Sequence, residues 1–180
     1  LGLAVFSRIG YVGALLYLLA HGLAKGGLVL CAGIVEQGAG TREMKKMGGL
    51  AGKMPVTAAC YLICALSLSG LPPLAGFFGL SLVLSGLLQG GHPWIAGGAI
   101  LTAIFTLVYL MKSFSMIFLG EARTGEALHC QREGSFLMKG VVVLLACLTL
   151  ALTAVLPLPA SLAKAAADER VLRAVSSTPA

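Results

Sequence analysis

Charged side chains are scarce in this sequence. Asp, Glu, Lys and Arg make up 11% of its 180 residues, where an ordinary soluble domain carries ~25%. A soluble chain of this length needs far more polar surface to cover one core. Apolar residues fill the place, at 58%, and a water-soluble catalytic domain is thereby excluded. Aromatic residues are also few, at 7%. The five cysteines form no C-x-x-C pair and no Cys/His cluster with ligand spacing, which argues against zinc and iron–sulfur centres. Cys31, Cys60, Cys64 and Cys147 lie in apolar segments and Cys130 in a polar loop; Cys60 and Cys64 share a helix face and read as small packing residues. No cofactor and no metal are expected. A formal charge of +6 could suggest nucleic acid, but the basic residues form no single stripe. Most sit in two loops between apolar segments, as membrane topology requires. The sequence opens at Leu1 on an apolar approach to a first span, without the pattern of a signal peptide. It is expected to be the C-terminal part of a longer polypeptide.

What is present is a series of apolar runs and 24 glycines, which membrane helices tolerate because small residues allow close packing. The expected fold is an all-α integral membrane protein of about four transmembrane helices. The spans fall at about 11–35, 54–88, 93–119 and 140–158, and together residues 1–158 form one transmembrane domain. The tail, 159–180, has helical composition in part and is expected at the membrane surface. The second run is too long for one straight crossing: about 34 residues at 1.5 Å each give ~50 Å, against a hydrocarbon core of ~30 Å. Two full crossings would be short and would lack a polar turn. Ser69-Gly70-Leu71-Pro72-Pro73-Leu74-Ala75-Gly76 lies in its middle, and adjacent prolines remove two amide donors. One crossing broken at Gly70, Pro72, Pro73 and Gly76 is therefore expected, with a plain helical hairpin as the alternative. Loop charge favours the break. Arg42, Lys45, Lys46 and Lys53 occupy the first loop, and Arg123, Arg132 and Lys139 the second. With four crossings both loops share the cytoplasmic side; with a hairpin they would not.

Lys25 stands well inside the first apolar span, and His21 lies four residues earlier on the same helix face. A charged Lys at mid-depth costs at least ~2.5–3.5 kcal/mol and is retained mainly where it faces a bundle interior or an aqueous path. Imidazole titrates near neutrality. The pair is therefore read as a proton relay facing inward, against the blander alternative of a snorkelling Lys beside a hydrogen-bonded His. Lys112 lies about two turns from the end of the third span, within snorkelling reach of the interface, and is a secondary candidate.

Four stretches together resemble a known family. They are Ser7-Arg8-Ile9-Gly10-Tyr11, His21-Gly22-Leu23-Ala24-Lys25, the loop from Thr41 through Thr57, and Ser69 through Phe78. In this order they resemble the C-terminal half of the antiporter-like membrane subunits found in respiratory complex I, multisubunit sodium/proton antiporters and energy-converting hydrogenases. The resemblance implies a proton- or sodium-translocating subunit of a redox-driven complex, multi-pass in the cytoplasmic (inner) membrane, with other membrane subunits and the lipid bilayer as partners. Redox chemistry would belong to those partners, since no redox centre is expected in this chain. It also implies relay positions at His21 and Lys25, with Tyr17 one turn earlier where some members carry a second His. The alternatives are a subunit of an antiporter without a redox partner, or a non-conducting remnant. The loop running from Gly120 to His129 is more like the hydrogenase members. One departure stands out: many members place Lys or Glu where this chain has Leu80.

Overall fold

The computed structural model describes residues 8–120 and 135–155. The loop with Arg123, His129, Cys130 and Arg132, the tail at 159–180, and Ser7 lie outside the described residues. All the regular structure described is helical. We number the helices α1 (Arg8–Ala39), α2 (Pro55–Leu68), α3 (Ala75–Gln89), α4 (Pro93–Phe118) and α5 (Phe136–Val155). Three are long and apolar enough to cross a membrane, and α2 and α3 are shorter apolar helices.

Helix α1 runs four residues beyond the expected span. Glu36 does not end it, because its carboxylate lies at the helix surface and accepts from Arg42 Nε at 2.7 Å. The stop is Gly40, at φ +68, whose N–H donates to the Glu36 carbonyl at 2.9 Å. Helix α5 likewise starts at Phe136, ahead of the expected position, because Phe136, Leu137 and Met138 extend the helix through Gly140. The first loop is compact, with 3-10 turns at Met44–Lys46 and Leu50–Gly52. Met47, Leu50 and Met54 are buried beneath it, so apolar anchors fix a segment that its lysines keep in water.

The second crossing is broken, and local chemistry explains how. At the end of α2 the Gly70 N–H donates to Ser67 O at 3.1 Å and the Leu71 N–H to Leu66 O at 3.1 Å. With Gly70 at φ +72, this is the glycine-terminated helix end that satisfies otherwise orphaned carbonyls. Pro72 and Pro73 follow, joined by a cis peptide bond, and α3 begins at Ala75.

The packing register shows that α2 and α3 form one crossing and not a hairpin. Cys31 Sγ lies 3.8 Å from Thr57 O. Gly27 abuts Cys64, Tyr17 abuts Gly79, and Gly13 abuts Leu82. As α1 is followed backwards its partner advances without reversal, so α2 and α3 run in one direction, antiparallel to α1. Helix α4 returns along them. Its Ala96 clusters with Val83 and Leu87, and at its other end Phe118 meets Tyr61, ring centroids 5.5 Å apart. Helix α5 lies antiparallel to α1, with Met138 near Gly33 and Leu145 near Gly26.

Four crossings result, and the two loops emerge at one end. The Gly49 N–H donates to Leu119 O at 3.5 Å, which ties the first loop to the last residues before the second. The principal core joins α1, α2, the first loop, the end of α4 and α5. The outer faces are apolar. Leu18, Ile104, Phe105, Val108 and Leu144 are exposed, a surface suited to lipid and not to water. Trp94 and Phe136, both strongly exposed, mark opposite ends of the bundle, where aromatic residues settle at the headgroup level.

Candidate functional site

The break positions the site. It lies between Cys64 and Gly79, and these pack against Gly27 and Tyr17 of α1. His21 and Lys25 fall inside that interval of α1, which spans ~15 Å of helix. The expected relay pair and the non-helical segment of 69–74 therefore share one depth.

On α1 the face turned toward the other helices is used for close packing. Ala20, Ala24 and Cys31 are almost fully buried, and a methyl added at Gly27 would lie 2.6 Å from Cys64 Sγ. Tyr17 is half-buried beside His21, ring centroids 5.7 Å apart. His21 is half-buried, and its Nδ1 is buried without a hydrogen-bond partner among the described residues. Lys25 is exposed. Sequence reasoning expects it to face the bundle interior; within the described residues it does not. The reason is rotational. Ala24 occupies the inward position, and one more residue turns the chain by ~100°, which places Lys25 with Leu18, Gly22 and Val29 on an open flank.

That flank is apolar apart from Lys25 and the edge of His21. Among the described residues Glu36 and Glu43 are the only carboxylates. Each pairs with a base at the loop end, Glu36 with Arg42 and Glu43 with Lys46. No described acid is left to neutralise Lys25.

Lys112 is exposed on α4, which packs chiefly on α2 and α3, so the fold does not gather it with Tyr17, His21 and Lys25. Gly70 and Gly76 both lie at contacts of the break. A methyl on Gly76 would run into the carbonyl oxygen of Ser67, and one on Gly70 into the Leu80 side chain.

Ser67 is a residue that sequence reasoning missed. It is 1% exposed, and its Oγ has no hydrogen-bond partner among the described residues. A hydroxyl one turn before a glycine-terminated helix end was the available signal. Among the described residues no cluster of His, Cys, Asp or Glu could hold a metal ion.

Comparison with known proteins agrees with this architecture. Residues 1–106 match the family described as "NADH:quinone oxidoreductase/Mrp antiporter, TM". The chain is 35% identical over 137 residues to a Na(+)/H(+) antiporter subunit of Alkalihalophilus pseudofirmus, covering 76% of this chain and 27% of that protein. It is 37% identical over 119 residues to an NADH-quinone oxidoreductase subunit of Desulforudis audaxviator, covering 66% of this chain and 24% of that one. It is also 35% identical over 157 residues to hydrogenase-4 component B of Escherichia coli, covering 81% and 23%. A chain in the structure of the Mrp complex from Dietzia sp. DQ12-45-1b superposes with a TM-score of 0.76 at 25% identity, covering 85% of this chain and 36% of that chain. The chain thus spans about a quarter of the length of the curated relatives it matches.

Proposed function

Because this multi-pass membrane chain belongs to the NADH:quinone oxidoreductase/Mrp antiporter transmembrane family, we propose that it carries protons, or sodium ions, as part of a membrane subunit in a redox-driven complex. The observation that carries the reading is the placement of His21 and Lys25 at the depth of the α2–α3 break. A broken helix at membrane depth is tolerated where protein or water meets its freed backbone groups, and such breaks mark ion sites in transporters. A titratable pair at that depth has the chemistry to accept and release a proton. Lys25 lies on an open flank with no described counter-ion. In the assembled complex that flank faces other protein, because a lone ammonium on lipid costs ~2.5–3.5 kcal/mol or more. Tyr17, beside His21, extends the same path by one turn. In this reading the chain lies in the cytoplasmic membrane with both basic loops facing the cytoplasm.

A second reading is supported by two of the similarities. The Alkalihalophilus protein is a Na(+)/H(+) antiporter subunit by name, the Dietzia chain belongs to an Mrp complex, and the matched family's description couples Mrp with antiporter; a sodium/proton antiporter subunit needs no redox partner. Co-purification separates the two: hydrogenase or quinone-reductase subunits in the complex support the first, antiporter subunits alone the second. The test of ion carriage is uptake into vesicles by the assembled complex. Lys25→Ala is expected to abolish most uptake while the complex still assembles. Native uptake with Lys25→Ala would remove the proposed role.

A further inference from the structure

One apolar side chain of α3 lies against the helix break. Leu80, in the second turn of α3, lies against the end of α2: a methyl built on Gly70 would sit 2.8 Å from Leu80 Cδ2. Gly76, one turn earlier, is buried and leaves no room for a methyl against the Ser67 carbonyl. The start of α3 is thus seated on the last turn of α2, with Leu80 against Gly70. On the outer side Pro72 and Pro73 are exposed, whereas Leu74 and Ala75 are buried.

The break also holds polar groups. Ser69 Oγ donates to Ala65 O at 2.7 Å. Ser67 Oγ is buried and makes no hydrogen bond among the described residues. The ends of two helices also meet here, and helix ends leave carbonyls and amides outside the regular ladder. Such a place attracts water once a path is open, and a single apolar constriction suffices to keep a narrow passage dry.

We propose that Leu80 is an apolar plug that holds the α2–α3 break dry, with Ser67 as the hydroxyl that water meets when the plug is withdrawn. The break is then a barrier in the resting chain, and ions entering on the α1 flank cross it only when Leu80 moves. This consequence rests on the ion-carrying reading; the hydration of the break does not, and it is what the experiment reads.

Ser67→Cys places a thiol of nearly the same size behind the plug. In membrane vesicles holding the assembled complex, a small charged methanethiosulfonate reports water at that thiol, and peptide-resolved mass spectrometry distinguishes it from Cys60 and Cys64. With Leu80 in place the introduced thiol is expected to react at the rate of those buried native cysteines. Combination with Leu80→Ala is expected to raise the rate by roughly tenfold or more, by opening the constriction. Leu80→Met keeps the volume and is expected to leave the rate low. Leu80→Val removes less of the side chain and gives a smaller rise, which answers the question if Leu80→Ala does not assemble. Fast labelling with Leu80 in place, or unchanged labelling in both shortened variants, would overturn the plug. Neither result depends on whether ion uptake is detected.

Discussion

Lys25 and Lys112 are both single charges within apolar helices, yet they call for different accounts. Lys112 lies on α4 two turns before Phe118, so its four-carbon stem can carry the ammonium to the interface. Lys112→Ala is therefore expected to leave ion uptake by the assembled complex near the native level. His21 has no such escape. It shares the depth of the break, and its buried Nδ1 lacks a partner among the described residues. His21→Leu is expected to lower uptake by about a hundredfold, the lower end of the range for loss of a proton-transfer group, with assembly intact. Equal effects at His21 and Lys112 would show that depth does not select the relay. The charge in the apolar run was legible in the sequence, and so was the imidazole four residues away. The flank was not. Which side of α1 faces inward is decided jointly by α2, α3 and α5, through contacts such as Gly27 with Cys64 and Gly26 with Leu145, and no window of α1 alone contains that information.

Between elements, the α1–α3 contact is set by missing side chains. A methyl on Gly79 would lie 2.7 Å from both the backbone nitrogen and the Cα of Tyr17, and backbone cannot step aside as a flexible side chain can. Gly79→Ala is expected to destabilise the packing by about 1–3 kcal/mol, the usual cost of overfilling a tight contact, read as a lower thermal midpoint of the purified complex. Gly22→Ala, where nothing lies within 4 Å in this chain, serves as the comparison. A normal midpoint for Gly79→Ala would mean that the two helices are not held this closely. The break itself was legible because Gly70 and the Pro72-Pro73 pair act locally, and the length of the apolar run demanded an interruption. Helix ends were less so. The first span was expected to end at 35, but the Glu36 carboxylate on the helix surface beside Arg42 satisfies itself without ending the helix.

Across the whole molecule, four crossings put the first loop and the end of α4 together, as the Gly49–Leu119 hydrogen bond records. Charge in the loops alone foretold this arrangement, because the positive-inside preference acts on every loop at once and does not need the packing to be known. Lys45→Cys and Ser135→Cys are expected to react with an impermeant thiol reagent from the same side of sealed vesicles, and Gln89→Cys from the opposite side. Reaction of Lys45→Cys and Ser135→Cys from different sides would reinstate the hairpin. What covers the Lys25 flank was not legible, since Leu18, Gly22, Lys25 and Val29 are left exposed among the described residues. The most direct measurement of the central claim is ion uptake into vesicles by the assembled complex carrying Lys25→Arg. Arginine keeps the positive charge and a long side chain but does not release its proton at any working pH. If Lys25 hands a proton along the α1 flank, uptake falls toward that of Lys25→Ala; uptake at the native rate would show that only a fixed charge is needed there and would contradict the relay.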